Sequence, residues 1–584
     1  MRVATVLAVA AGLVLSLACP SGLALAETGA EAPSERLDRL FEEEWQARLA
    51  RRPLLATRVG VDRFNDRLPD VSPAALSRYA DADQRFLDRL EAIDATGWSE
   101  EDHVNATLFR FVLDRRLSEY KFQTWRMPIL NDSGFHTRLA YVVEATPFDT
   151  LADYEAYLAR LAAIPDYLAQ QQDNLRQGLT DGFTQHRAIL GNTAATFAAL
   201  AVDKPEDSRF FSPFTTLPDD MPAGVRRDLV ERGREVLRAA VLPAFRDLYR
   251  FFTETYMPGA RTSLAATALP DGRAYYAAQI RYYTTRDLSP DAIHQRGLAE
   301  VKRIRARMEA IIDEVEFDGD FDAFVRFLRT DPRFYADTRE ALLKEAAWIA
   351  KRIDARLPEL FGQLPRTPYG VRAVPDEIAP NYTTGRYWSA IPGKRGGLFM
   401  VNTHNLDQRP LYNLPALALH EGVPGHHLQN ALAREMTDRP QFRQNMYLSA
   451  FGEGWGLYAE KLGEDLDFYR TAYERFGRLS YEMWRAVRLV VDTGIHAKGW
   501  SAERARAFLA DHTALAEHNI RTEVDRYISW PGQALAYKIG EMTILNLRRR
   551  AADALGDRFD LRRFHDALLD QGADPASHPL LEEA

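Results

Sequence analysis

Helical periodicity is the feature that most limits the fold of this 584-residue chain. Apolar residues recur at three- and four-residue steps, the spacing of one face of an α-helix. One such stretch starts at Ser289-Pro290, a cap followed by proline at the first helical position, and continues through Ile304 and Met308. Comparable stretches cover roughly residues 34–51, 72–94, 99–122, 150–178, 222–256, 337–361, 413–436, 453–464, 468–498, 501–518 and 534–555. The pattern predicts a mainly α fold.

Strand signals are few and lie close together. Two β-prone runs, residues 370–375 and 397–402, are bounded by glycine or proline, and turn formers fill residues 380–385 and 391–397 between them. We therefore expect a small sheet with glycine-rich loops shortly before residue 420. The turn-rich stretch 256–272 predicts a junction between an N-terminal helical half, residues 27–265, and a C-terminal half, residues 266–584.

The first 26 residues have the pattern of a secretory signal peptide. Arg2 precedes an apolar run over residues 3–18, and Ala24-Leu25-Ala26 gives the small-residue cleavage pattern. The single cysteine, Cys19, lies inside this leader, so no disulfide is expected within one chain. Cleavage after Ala26 would remove Cys19, whereas Leu17-Ala18-Cys19 read as a lipobox would make it a lipid anchor. Either form predicts an exported protein that is periplasmic or secreted.

Charge and hydropathy exclude two further classes of partner. The net charge of −9 is spread along the chain, without the clustered basic face that nucleic-acid binding needs. No window after the leader has about 18 apolar residues free of charge, so no transmembrane helix is expected.

A histidine cluster carries the chemistry. Of the 13 histidines, His420, His426 and His427 fall close together, and Glu421 directly follows the first. In the common zinc-protease motif, two histidines four residues apart on one helix bind the metal, and the glutamate beside the first activates water. Here Pro424 occupies the position four residues after His420.

A continuous helix would keep these histidines apart. His426 lies about 120° off the face of His420, and His427 lies about 10.5 Å further along the axis. Gly422, Pro424 and Gly425 are poor residues for a helix interior. We therefore predict a break at residues 423–425 that brings a histidine back beside His420.

Glu453 is the candidate third metal ligand. It begins Glu453-Gly-Trp near the start of the next helical stretch, and two histidines with a glutamate form a known catalytic zinc set. The same donors also describe a non-haem iron site, but the adjacent Glu421 favours hydrolysis. A purely structural alternative is that His426 and His427 cap or pack a kinked helix.

The sequence resembles the bacterial family known as domain of unknown function 885 (DUF885). His420-Glu421-Gly-Val-Pro-Gly-His426-His427-Leu-Gln429 matches its signature, and the similarity extends over about residues 34–580 as one continuous domain. Further matching stretches are Gly178–Gly182, Tyr275-Tyr276, Tyr283-Thr-Thr, Val401-Asn402-Thr403, Glu453-Gly-Trp, 491–496 and 530–540. Members resemble zinc metallopeptidases of the gluzincin type.

The resemblance implies roles for individual residues. His420, His426 and Glu453 would hold one Zn²⁺ per chain, Glu421 would be the general base, and His427 would lie outside the ligand set. An oxyanion donor is also needed, and Tyr537 is the first candidate, followed by His496 and Tyr527. Asp492 or Glu460 would hydrogen-bond a ligand histidine, and Arg395 would hold a substrate carboxylate.

These expectations define two functional hypotheses. The first is a zinc-dependent peptidase that hydrolyses oligopeptides in a deep cleft between the two halves, with the small sheet beside the zinc-binding helix; the cleft rests on fold analogy. The second is a non-catalytic envelope protein that binds metal or peptides. Hydrolysis of an ester or another amide is a third alternative. The sequence predicts no oligomeric state.

Overall fold

The computed structural model describes residues 32–570, except residues 132, 377–378, 380–381 and 392–394. The predicted signal peptide and Cys19 lie outside the described residues. Helices make up 71% of the structure and strands 4%, which confirms the mainly α prediction. No helix in the described ranges is both long and apolar enough to cross a membrane.

Twenty-five α-helices, numbered in chain order, are formed by the described residues. The first eleven are α1 (Pro33–Arg51), α2 (Pro53–Arg58), α3 (Pro73–Glu91), α4 (Glu100–Phe122), α5 (Phe135–Ala145), α6 (Leu151–Ala162), α7 (Ile164–Asp181), α8 (Leu190–Ala198), α9 (Ala223–Val236), α10 (Leu242–Phe251) and α11 (Met257–Gly259). The others are α12 (Gly272–Thr284), α13 (Pro290–Glu314), α14 (Phe321–Thr330), α15 (Arg339–Asp354), α16 (Leu357–Leu360), α17 (Leu414–Glu421), α18 (His426–Glu435), α19 (Gln441–Gln444), α20 (Ser449–Asp465), α21 (Ala472–Lys498), α22 (Ala502–His512), α23 (Glu517–Ser529), α24 (Ala536–Leu555) and α25 (Leu561–Asp570).

Helix starts follow local capping chemistry. Ser99 accepts the Asp102 amide, and the Asp102 carboxylate accepts the Ser99 amide, which closes a capping box at α4. Ser289 caps α13 through the Ala292 amide, with Pro290 at the first helical position as predicted. These side chains satisfy amide groups that would otherwise lack partners at a helix start.

One hydrophobic core spans both predicted halves. The same cluster of buried side chains contains residues from Leu37 to Leu569. Phe41 of α1 and Phe442 of α19 pack with ring centroids 4.9 Å apart, across the predicted boundary at 265/266. That boundary stays a prediction, but the two segments share one interior.

The long helix α21 forms the centre of the C-terminal part. The helix has 27 residues, and every residue from Phe476 to His496 is buried. A helix that is enclosed on all sides must pair its charged groups internally, and Arg478, Arg485 and Arg488 do so with buried glutamates.

The predicted small sheet is present beside α17. Its strands are β1 (Tyr369–Ala373), β2 (Gly385–Trp388) and β3 (Gly397–Val401), in the order β1-β3-β2. The central β3 is parallel to β1, with Tyr369 opposite Gly397, and antiparallel to β2, with Tyr387 opposite Phe399. The sequence predicted β1 and β3 but not β2.

Candidate metal centre

The predicted helix break separates α17 from α18. Helix α17 ends at Glu421 and α18 begins at His426. The indole of Trp455 donates to the Pro424 carbonyl at 2.8 Å, and the His427 amide donates to the Gly422 carbonyl at 3.0 Å. The backbone at Gly425 approaches α17 so closely that only glycine fits, because a Cβ there would lie 2.0 Å from the His420 carbonyl oxygen. The break therefore folds the chain back onto α17 and is held by α20.

His420, His426 and Glu453 converge on one point. Their ligand atoms all lie within 4.8 Å of one another. Glu453 Oε2 lies 3.7 Å from His420 Nε2 and 3.4 Å from His426 Nε2. A tetrahedral ion with bonds of about 2.1 Å places its donor atoms roughly 3.4 Å apart. The spacing and chemistry of these donors therefore fit zinc.

Glu460 fixes the orientation of His420. Its Oε1 lies 2.8 Å from His420 Nδ1, so that ring nitrogen donates to the carboxylate and leaves Nε2 facing Glu453. The carboxylate is fully buried, with Arg485 3.6 Å away. Gly456 makes room for the ring, because a Cβ there would lie 2.7 Å from His420 Cε1.

The electrostatics of the cluster favour a cation. Burial alone would lower the pKa of His420, but hydrogen bonds with Glu453 and Glu460 outweigh it and raise the pKa to about 10. Burial would raise the pKa of Glu453, yet hydrogen bonds with His420 and His426 bring it well below its ordinary value. Glu453 and Glu460 thus stabilise positive charge on or beside the His420 ring.

Glu421 is held by the sheet. The backbone amide of Tyr387 on β2 donates to Glu421 Oε2 at 2.7 Å. Among the described residues we find no hydrogen bond to its second oxygen. The sheet therefore fixes the carboxylate through one oxygen.

His427 faces away from the cluster. Its Nε2 lies 3.0 Å from the Thr367 carbonyl and its Nδ1 lies 3.2 Å from the Tyr387 hydroxyl. The ring also packs against Tyr369 with centroids 4.6 Å apart. His426 is thus the histidine that the structure brings to His420, while His427 attaches α18 to the sheet.

Tyr447 is a candidate functional residue that the sequence analysis did not identify. The residue is 49% exposed, but its hydroxyl end lies over Gly452, where an added Cβ would be 2.3 Å from the phenolic oxygen. Burial of the hydroxyl and the nearby Glu453 carboxylate raise the pKa of Tyr447 well above its ordinary value. It lies in the loop between α19 and α20, and nothing in the periodicity of that loop predicts the contact.

Tyr537 lies at the start of α24. Its hydroxyl accepts a hydrogen bond from Arg526 at 3.0 Å, and the Arg488 guanidinium lies 4.2 Å from its ring centroid. Tyr537 also contributes to the electrostatic surroundings of Tyr447. The predicted first candidate for the oxyanion donor is therefore already hydrogen-bonded to an arginine.

His496 does not meet the cluster through either ring nitrogen. Its Nδ1 accepts the Ala266 amide at 3.0 Å, and its Nε2 lies 2.8 Å from the Tyr527 carbonyl. Both nitrogens are occupied by backbone groups in a fully buried position. The geometry corresponds to a residue that joins α21 to its neighbours rather than to an oxyanion donor.

The remaining predicted residues have structural partners. The Tyr527 hydroxyl accepts from Trp484 and Arg488, and Arg395 donates to the Ser389 and Gly396 carbonyls. Asp492 accepts from the Tyr276 hydroxyl at 2.6 Å. Of the two carboxylates predicted to orient a ligand histidine, Glu460 is therefore the one that contacts His420.

Comparison with known proteins identifies a family and two solved structures that this chain resembles. The chain matches the model of a family described as "Bacterial protein of unknown function (DUF885)" over residues 53–583. A "putative lipoprotein" from Colwellia psychrerythraea has a similar crystal structure, with 27% identity, a TM-score of 0.87, and coverage of 95% of this chain and 100% of that chain. A "putative lipoprotein of unknown function" from Shewanella oneidensis has 16% identity and a TM-score of 0.74, covers 94% and 98% respectively, and shows similarity of fold alone. No curated protein matches the chain.

Proposed function

This chain belongs to the DUF885 family, and we propose that it is an exported zinc-dependent peptidase that hydrolyses peptide bonds in oligopeptides. One observation carries the proposal. Three donors typical of catalytic zinc, His420, His426 and Glu453, converge at metal-binding spacing, and an oriented carboxylate directly follows the first ligand. Glu421 distinguishes this arrangement from a non-haem iron site, because an iron oxygenase needs no base at that position.

The residues divide the chemistry between them. Bound zinc would supply a Lewis acid that lowers the pKa of a water to about 7. Glu421, fixed through Oε2 by the Tyr387 amide, takes the proton from that water and passes it to the leaving amine. Tyr447, whose hydroxyl lies beside Glu453, is placed to donate to the oxygen on which negative charge develops.

The substrate class and the relationship to known peptidases are part of the proposal. The proposal includes a gluzincin-type origin, a metallopeptidase-like fold and a deep cleft between the two halves. Such a cleft would admit extended oligopeptides rather than folded proteins. Similarity to the Colwellia protein, which is described as a "putative lipoprotein", supports export, and lipid attachment at Cys19 is the form of the N-terminus that fits it.

Elemental analysis with matched variants tests the proposal first. We expect about one zinc per chain in the wild type, none in His420→Ala, and an unchanged amount in Glu421→Gln. On a peptide library, Glu421→Gln is expected to lose about 10²–10⁴-fold in hydrolysis, the range attributed to a general base.

Three results would contradict the proposal. Failure of the wild type to take up zinc would reduce the histidine cluster to a structural role. Iron in place of zinc would indicate oxygen chemistry. Zinc-loaded protein that binds peptides tightly without cleaving them would support the envelope binding protein instead.

A further inference from the structure

A cavity of about 550 Å³ lies between α13, α20, α21 and α24, and none of the three metal-binding side chains lines it. Cavities of roughly 300–1,000 Å³ accommodate small-molecule ligands. Eight of its lining side chains are arginine or lysine and three are glutamate. The cavity is therefore large enough for a ligand and strongly positive.

The buried floor of the cavity is charged but internally paired. Lys538 Nζ lies 2.5 Å from Glu541, 2.8 Å from Glu482 and 3.0 Å from Glu300. Arg478 lies 2.5 Å from Glu482. Both cations are 1% exposed, so their carboxylate partners offset the cost of burying them.

The rim of the cavity is not neutralised in the same way. Arg303, Arg307 and Lys461 form ion pairs, but Arg286, Arg296 and Arg549 form none with the described residues. Glu464 and Asp465 do not line the cavity but form ion pairs with Arg307 and Lys461. Together with the three lining glutamates they make five carboxylates, against eight lining cations. Three positive charges are therefore left over around one opening.

We propose that this cavity is a second ligand site, which binds a small molecule carrying two or more anionic oxygen groups, of the phosphate or carboxylate type. Guanidinium groups bind such oxygens through two parallel hydrogen bonds, and the low-dielectric walls strengthen each contact. The buried floor also has an unused donor, because Arg478 Nε has no hydrogen-bond partner among the described residues.

The three rim arginines that form no ion pair with the described residues come from three different elements. Arg286 follows α12, Arg296 lies on the second turn of α13, and Arg549 lies near the end of α24. A ligand with a single charge contacts one or two of them, whereas a ligand with several anionic groups bridges all three. The surplus of positive charge around the opening thus favours multivalent anions over chloride or acetate.

Calorimetric titration of the purified wild-type protein tests the site, with sodium pyrophosphate and, separately, trisodium citrate at constant ionic strength. We expect saturable binding of one anion per chain that chloride does not match. Arg286→Gln with Arg549→Gln should weaken binding at least about tenfold for each lost contact, since 1.4 kcal/mol corresponds to tenfold. Tighter binding of pyrophosphate identifies a phosphate ligand, and tighter binding of citrate a polycarboxylate.

Two controls make the result decisive. Arg550→Gln changes the neighbouring arginine on α24, which does not line the cavity, and should bind as the wild type does. His420→Ala should also bind normally, because an anion held at the histidine cluster through a metal would be lost in that variant. Absence of saturable binding, equal binding by the double variant, or loss of binding with His420→Ala would overturn the proposal, whatever the outcome for hydrolysis.

Discussion

His420 uses its two ring nitrogens for different partners. Nδ1 donates to Glu460 at 2.8 Å, while Nε2 faces Glu453 at 3.7 Å. A metal that takes the place of the second ring proton leaves an imidazole that donates through Nδ1 and binds through the lone pair on Nε2. Glu460 lies seven residues after Glu453, two turns along the same face of α20. One helix thus supplies both the carboxylate that we propose as a metal ligand and the carboxylate that orients His420.

Replacement of the Tyr447 hydroxyl tests its role in hydrolysis. Tyr447→Phe keeps the ring but removes the donor beside Glu453, so we expect zinc content to stay unchanged and kcat to fall about 10²–10³-fold. KM should change little, because the lost bond forms mainly in the transition state. Steady-state kinetics on the preferred library peptide give both constants.

Tyr537→Phe is the matched comparison. Its hydroxyl already accepts from Arg526, so we expect a smaller loss of kcat than in Tyr447→Phe. If Tyr537→Phe causes the larger loss, the oxyanion donor is the tyrosine that the sequence indicated first.

Which site residues the sequence could predict depends on how far apart they lie along the chain. His420, Glu421 and His426 stand in one short motif, and the glycines and proline between them predicted the break, but the choice of His426 over His427 came from the family resemblance. Tyr447 and the Tyr387 amide reach the site through loop and strand geometry. No spacing rule connects these positions, and the roles of His496 and Asp492 depended on three-dimensional contacts in the same way.

At the scale of elements, α20 carries glycines where other elements approach it most closely. A Cβ on Gly452 would meet the Tyr447 hydroxyl, one on Gly454 would lie 2.5 Å from the Gly540 backbone of α24, and one on Gly456 would meet the His420 ring. Glycine costs helix stability, about 0.5–1 kcal/mol relative to alanine. The close approach of Tyr447, α24 and His420 to α20 requires glycine at these three positions despite its cost in helix stability.

Gly456→Ala is expected to weaken metal binding. The added methyl would lie 2.7–2.8 Å from Cε1 and Nε2 of His420, so the ring must move away from the position that Glu460 gives it. We expect about 10–100-fold lower zinc affinity, the effect usually seen when a ligand histidine loses its orientation. Competition with a chelator of known affinity measures it.

Gly191→Ala is the control for this substitution. Gly191 lies in α8, and an added Cβ meets no atom within 4 Å. This variant should bind zinc as the wild type does and be slightly more stable. Equal affinity in the two variants would show that Gly456 does not position His420.

Strand β2 shows where sequence patterns fail at this scale. It has four residues, Gly385–Trp388, directly after a turn-rich segment, and is too short to show a period of two. Its pairing with β3 places the Tyr387 amide against Glu421. An element without its own signal thus orients the proposed general base. Long periodic helices such as α1, α4 and α24 were predicted with nearly correct bounds, whereas α12 was not predicted and the predicted stretch 501–518 runs across the end of α22 into α23.

At the scale of the molecule, distant segments meet through buried polar groups as well as through the shared core. Asp492 of α21 accepts from the Tyr276 hydroxyl of α12 and from the Gly532 amide before α24, the latter at 3.1 Å. It is fully buried and has no ion pair with any described residue. Burial outweighs these two hydrogen bonds and raises the pKa of Asp492 from 3.8 to about 7.

This carboxyl should make stability depend on pH. The folded protein holds the proton up to about pH 7, whereas the unfolded chain releases it near pH 4, so the folded state binds more protons between these values. The stabilisation is complete below the unfolded pKa and is lost as pH rises through about 7. From pH 5 to pH 8 the wild type should lose about 2–3 kcal/mol of unfolding free energy through this group.

Asp492→Asn isolates that contribution from the other titrating groups. The amide keeps an acceptor for Tyr276 and Gly532 but does not titrate, so the variant should gain stability relative to the wild type as pH rises from 5 to 8. Urea unfolding of both proteins at several pH values in this range measures the difference. A difference that does not change with pH would mean that Asp492 has the same pKa in the folded and unfolded states. Its burial between α12, α21 and the segment before α24 would then not govern its charge.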